Sequence, residues 1–408
     1  MGSVSKLAAI ALLSASAAAL ASPAAAQRAP APQYPNVSRA EYQALRTLEA
    51  ALAARNYPAA ASALAAAQSA VRSSDGRYYL VGLQLRYGRE AGNLPAQTSA
   101  IDAMIASGRV TGAALAPLYA AQGATAAAAG KREQAEAALT RSFELAPSAE
   151  TAISLARVKL DLRKNAEAVT LVDRAVQLRR ASGQPVPESW YRRGASLAAG
   201  GNLAAPAFSF SRQLVAAYPS PENWRDAILT YRDLAKPDAA GQLDAMRLLR
   251  LSKGLAGERD YLETAQAFDA AGLAGESRSV LEEGVNTRMV DAAKPAFKEA
   301  IATAVRKSAA EKAKLSTLQA TAMAGATGAP ALQAGDVLLG AGNYPAAIDL
   351  FRAAMQKGGI DTGVANTRLG TALALAGRKA EAEAAFRAVT GPRAELAALW
   401  LVWLGQRG

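Results

Sequence analysis

The chain has 408 residues, with 46 Lys and Arg against 34 Asp and Glu, and a formal charge of +12. It contains no cysteine and no histidine. Those absences exclude disulfides, thiolate nucleophiles, imidazole bases, Ser-His-Asp triads and Cys/His zinc sites. Half of the composition is hydrophobic and alanine dominates it, which predicts a globular, helix-rich chain.

Residues 1–26 read as a cleavable signal peptide. Lys6 is the positive start, 7–21 is an uncharged apolar stretch too short to span a bilayer, and Ala24-Ala25-Ala26 offers an A-x-A cleavage site. The expected product begins at Gln27, carries a charge of +11 after loss of Lys6, and is periplasmic or secreted, with no membrane span. Residues 27–37, rich in proline, read as an extended leader. Ser38 followed by Glu41 has capping-box spacing and opens the first helix.

From there one pattern recurs. Tyr119, Gly123, Gly130, Ala135, Leu139 and Pro147 are laid out like Trp190, Gly194, Leu197, Gly201, Phe210 and Pro219. The layout returns in Ala331, Gly335, Leu338, Gly342, Tyr344, Ala347, Phe351 and Ala354, and again in Leu369, Gly370, Leu373, Gly377, Ala382 and Phe386. Gly123, Gly194, Gly335 and Gly370 fall inside helices, where glycine costs about 1 kcal/mol against alanine. A cost repeated at one register predicts a helix–helix contact too close for a side chain. The Gly-Asn pairs at 201–202 and 342–343 and the basic turns at 130–132 and 377–379 read as glycine C-caps.

Weaker copies place the register residue at 48, 85, 156, 228 and 265, and together with 123, 194, 335 and 370 these give spacings of 33 to 38 residues with one gap of 70. A degenerate copy around Phe297 and Ala300 is expected to fill the gap, within a basic segment at about 292–330. The segment from Lys294 to Ala320 also reads as a solvated basic helix. Two turn-rich stretches, 182–187 and 324–330, are the best linker candidates.

These residues resemble the tetratricopeptide repeat, with its W-x2-LG-x2-Y, A-x3-F and P positions. The resemblance implies an all-α, right-handed solenoid of about ten helical hairpins over 38–389, with a C-terminal cap helix in 390–408. Leu396, Leu399, Trp400 and Trp403 lie on one face of that cap, and Trp400 and Trp403 form a possible docking patch.

No P-loop, G-x-S-x-G or calcium loop is present, so neither enzyme activity, metal nor cofactor is expected, and nucleic acid conflicts with export. A carboxylate pair assembled only by folding stays open. The resemblance implies that first helices of hairpins line a groove for a peptide or partner helix. By register it assigns Arg86, Arg89, Arg157, Tyr191, Arg192, Arg225, Arg232, Gln266 and Arg368 to that groove. Arginine there suits carboxylates, so other envelope proteins or acidic peptide segments are the expected partners. Tyr191, Arg192, Arg225 and Arg232 would form one continuous patch. The alternative function is binding of acidic polysaccharide through net basic charge.

Overall fold

The computed structural model describes residues 34–407. The predicted signal peptide and its cleavage site lie outside the described residues. Among those residues there are helices and turns and no strand. The chain divides into two compact units with the boundary between Val186 and Pro187, inside the first of the turn-rich stretches noted in the sequence.

The first unit contains four helical hairpins: α1 (Arg39–Ala53) with α2 (Tyr57–Ala70), α3 (Ser74–Glu90) with α4 (Leu94–Ala106), α5 (Ala116–Ala128) with α6 (Arg132–Leu145), and α7 (Ala149–Asp161) with α8 (Asn165–Ala181). Ser38 and Glu41 form the predicted capping box. Glu41 also accepts from the backbone N–H groups of Arg72 at 2.7 Å and Ser73 at 2.6 Å. One carboxylate thus ties the start of α1 to the start of α3. The fold begins before Ser38, because the Tyr34 ring packs against Tyr42 and Tyr79 at 5.9 and 5.1 Å.

The second unit opens with α9 (Glu188–Gly200) and α10 (Ala204–Ala217), then α11 (Pro221–Ala235) and α12 (Ala239–Leu251), then α13 (Gly257–Ala270) and α14 (Ala274–Asn286). The expected degenerate hairpin does not exist. In its place stands one helix, α15 (Pro295–Ala324), of 30 residues. The reason is compositional: no glycine or proline interrupts residues 296–324, so nothing turns the chain back. Two hairpins follow, α16 (Gly328–Gly340) with α17 (Tyr344–Lys357) and α18 (Thr362–Leu375) with α19 (Lys379–Arg387), and α20 (Ala394–Gly405) ends the chain.

The close-contact reading of the repeated glycines holds. A Cβ built on Gly123 would meet Leu139 Cγ at 2.5 Å, and one on Gly194 would meet Phe210 Cδ1 at 2.6 Å. Gly335 and Gly370 sit equally tight against Phe351 and Phe386. Glycine therefore lets the bulky residue of the second helix lie directly on the first helix's backbone. One cap differs from expectation. In the 201–202 turn it is Asn202, with φ of 54°, that takes the left-handed conformation, whereas Gly130, Gly342 and Gly377 do so as expected.

Burial is organised differently in the two units. The first has separate small clusters, around Leu45, Leu64 and Leu80, around Leu85 and Ile101, and around Leu139 and Leu155. The second has one continuous core that runs from Val215 to Leu404.

Candidate binding surfaces

The second unit is closed by its own C-terminus. Helix α20 packs against α10, α11 and α19, which come from opposite ends of the unit's sequence. Its side chains are apolar nearly all round, and burial on several sides satisfies them. Trp400 is fully buried, stacked on Phe386 at 5.4 Å, and Trp403 is 4% exposed. Polar groups fix the seat: Gln406 Nε2 donates to the Val215 carbonyl at 2.7 Å, and Arg212 pairs with Glu395 at 2.8 Å. Trp400 and Trp403 are therefore core residues and not an external docking patch.

Inside the same unit lies an ion network that sequence reasoning missed. Arg247 of α12 donates to both Glu276 oxygens, at 3.0 and 2.6 Å, and to Asp244 at 3.0 Å, with Asp336 of α16 at 3.5 Å. Arg368 of α18 pairs with Asp336 and reaches Asp244 at 3.3 Å. Arg393 joins from the turn before α20, pairing with Asp238 at 2.6 Å and with Asp244 at 3.5 Å. All but Asp238 are buried. Folding thus does gather carboxylates, as the sequence left open, but each faces a guanidinium. Burial pushes the Asp336 carboxyl up to about 6, against the pull of Arg247 and Arg368. Burial works against the Arg247 charge, and Glu276, Asp336 and Asp244 outweigh it, holding its pKa above the usual range. No sequence motif marks this network, because its members are separated by up to 155 residues, from Asp238 to Arg393.

This arrangement corrects several groove assignments. Arg368 is buried within the network and faces no solvent. Tyr191 is 2% exposed and packs near Tyr218, so it cannot project beside Arg225. Arg225 is engaged by both oxygens of Asp260 and by the Gly254 carbonyl, and Arg232 Nε donates to Gln242 at 2.7 Å. Arg192 sits among Glu188, Glu222 and Asp226 at 3.0 to 3.5 Å. The expected continuous basic patch of Tyr191, Arg192, Arg225 and Arg232 is therefore two ion-paired arginines, one arginine held by Gln242 and one core tyrosine. Gln266 alone of this unit's assigned residues is freely exposed.

In the first unit the assigned cations stay in solvent. Arg86 makes an i,i+4 pair with Glu90 at 2.7 Å and keeps 41% of its side-chain exposure. Arg89 on α3 and Arg157 on α7 are exposed and have no ion-pair partner among the described residues. Aromatic surface adjoins the first hairpins: Tyr42 is 38% exposed, and the Arg109 guanidinium lies 5.0 Å over the Tyr78 ring. A cleft of about 340 Å³ lies between α4, α5 and α6, lined among others by Asp102, Tyr119, Gln122, Lys131 and Gln134. Gln122 Nε2 donates to Asp102 at 2.7 Å across its wall.

Among the described residues no group of three potential ligands converges on a metal position, and no helix is long and apolar enough to cross a membrane.

No family profile matches the sequence, and no curated protein matches it. Among solved structures the chain is similar to a tetratricopeptide repeat protein from Parabacteroides merdae, at 12% identity and a TM-score of 0.35, covering 82% of this chain and 100% of that one. It is also similar to the TPR2AB domain–pHSP90 complex of yeast Sti1, at 13% identity and a TM-score of 0.26, covering 72% and 100%. A third likeness is to the Cut9–Hcn1 hetero-tetramer of the APC/C, at 13% identity and a TM-score of 0.25, covering 91% and 70%. The helical-repeat assignment rests on this chain's own helices and their pairing.

Proposed function

We propose that the chain is an exported, non-catalytic scaffold that holds a carboxylate-bearing segment of another protein against its first unit. The observation that carries this reading is the partition of arginines. In the second unit the assigned arginines are engaged internally, Arg192, Arg225 and Arg368 in ion pairs and Arg232 on Gln242, while Arg89 and Arg157 remain exposed and unpaired in the first. A guanidinium without an internal partner is available to an external carboxylate, which it binds through two parallel hydrogen bonds. Export supports an envelope partner, and rests on Lys6, the apolar stretch and the A-x-A site.

The test is site-specific photo-crosslinking in cells. A photoreactive residue at Ser154, one turn before Arg157, captures a protein partner on this account. The same residue at Arg259, exposed on α13, does not. Capture at Arg259 with none at Ser154 sinks the assignment to the first unit. Mass spectrometry of the isolated protein tests export separately: Gln27 is the expected N-terminus, and retained Met1 contradicts it.

A further inference from the structure

The helix that replaces the missing hairpin carries a second, unoccupied surface. At 1.5 Å per residue, the 30 residues of α15 make a rod of about 45 Å. Its buried face is Phe297, Ala304, Ser308 and Ala322. Along its flank, about a quarter-turn round from the buried face, runs an unbroken series spaced alternately by four and three residues: Lys298, Ala302, Val305, Ala309, Lys312, Ser316, Gln319 and Met323. That is the spacing of a coiled-coil seam. All of these residues are exposed except Gln319, which is half-buried.

Two independent features say that the seam is a contact surface. Val305 and Met323 are 41% and 45% exposed, and they are two of the four large hydrophobic residues that stand out from the described surface. Lys298 and Lys312 within the series, and Arg306 beside it, have no ion-pair partner among the described residues. Two other charges of the helix are already used. Lys307 pairs with Asp269 at 2.7 Å, and Glu311 accepts from the N–H groups of Ala274 and Gly275 at the start of α14. Glu299 is left as the only uncommitted acid on α15.

We propose that α15 docks an acidic amphipathic helix of a partner protein along the seam from Lys298 to Met323. Charge selects this occupant. A second copy of α15 would bring two basic helices together, and like charges across a seam cost stability. A helix with glutamates opposite Lys298, Arg306 and Lys312 pairs them instead. The small residues Ala302, Ala309 and Ser316 allow its backbone close, and the two lysines within the seam fix its register. A lipid surface suits the seam less well, because interfacial helices insert Trp, Phe and Leu, and this face has only Val305 and Met323.

The experiment uses the full chain carrying R89E/R157E, so that the first unit's arginines cannot hold the peptide, and a labelled synthetic heptad peptide with a leucine–alanine seam flanked by glutamates, read by fluorescence anisotropy. A lysine-flanked counterpart is the comparison. The glutamate peptide binds and the lysine peptide does not. The double variant K298E/K312E weakens binding by roughly tenfold or more, as does Val305→Asp, while the circular dichroism spectrum stays that of the wild type. Equal binding of both peptides, binding of neither, or affinity unchanged in K298E/K312E overturns the proposal. So does a dimer of the chain that Val305→Asp dissociates, which assigns the seam to a second copy. Binding of anionic vesicles in place of the peptide overturns it as well. The R89E/R157E background removes the proposed site of the first unit, so failure here and failure of the proposed function are separable.

Discussion

Gly335 lies directly beneath the ring of Phe351: a Cβ added at Gly335 would be 2.5 Å from Phe351 Cε1 and 2.7 Å from Cδ1. The ring is fully buried and cannot retreat without displacing its neighbours. Gly335→Leu should therefore destabilise the second unit by about 1–3 kcal/mol or more through overpacking. All four tryptophans lie in that unit, so denaturant unfolding followed by tryptophan fluorescence reads it alone. Gly82 is the contrast, since a Cβ there meets nothing within 4 Å. Gly82 lies in the first unit, so Gly82→Ala is followed by circular dichroism instead, and should be neutral or stabilising by up to ~1 kcal/mol. Equal effects at the two positions would refute the close-contact explanation.

That pair of residues also shows what was legible in the sequence. Gly335 and Phe351 belong to one hairpin, and contacts local to a hairpin repeat at fixed spacing, so periodicity exposes them. The long helix was half legible. The basic stretch from Lys294 read as a helix, but the repeat arithmetic placed a hairpin there, and the absence of any breaker from 296 to 324 decided the matter. The fate of Arg368 was not legible. Its partners Asp336 and Asp244 lie 32 and 124 residues away, and no periodicity relates them. Register placed Arg225 and Arg232 on a plausible face. It could not reveal that Asp260 and Gln242 would engage them.

The buried network makes a pH prediction of definite sign. Burial pushes Asp336 up to about 6 from an ordinary 3.8, so the folded state holds its proton more tightly than the unfolded state. Its contribution to stability is present below about pH 4 and is lost as pH rises through about 6, a change of ~3 kcal/mol at most. Asp336→Asn keeps the neutral form, so the loss of stability between pH 4 and 6 should be smaller in this variant by tryptophan fluorescence. A slope unchanged from wild type would contradict the assignment. Removing one partner is another matter: Arg247→Met strands Glu276 and leaves Asp244 and Asp336 to Arg368 and Arg393, and should cost about 3–5 kcal/mol.

Glu41 titrates with the opposite sign in the first unit. Hydrogen bonds from the backbone of Ser73, Ser38 and Arg72 lower its carboxyl to about 2 from 4.5. Its contribution is present above pH 4.5 and is lost as pH falls through 2. Glu41→Gln should cost stability at neutral pH and have little effect at pH 2, measured by circular dichroism. An equal cost at both pH values would show that charge is not what Glu41 supplies.

Helix α20 should behave as core and not as a tail. Trp400→Ala should cost about 3–5 kcal/mol. A chain ending at Thr390 should lose the cooperative tryptophan transition of the second unit, leaving Trp190 and Trp224 in a loosened environment. Retention of that transition would show that α20 merely rests on a body stable without it.

The central claim is that exposed arginines of the first unit hold an acidic partner. Its most direct test is the affinity of the full chain for an acidic peptide with a free C-terminal carboxylate, compared between R89E/R157E and R259E/R278E. The two variants change net charge equally, and Arg259, exposed, and Arg278, half-buried, belong to the second unit, each in an i,i+4 pair. Single exposed pairs contribute ~0–1 kcal/mol, so reversal of two charges should weaken binding about tenfold or more at low salt. The account predicts that loss for R89E/R157E and little change for R259E/R278E, with wild-type binding that weakens as salt rises. Equal losses in both variants would mean that net charge alone drives binding, favouring an acidic polymer, and undiminished binding by R89E/R157E would contradict the account outright.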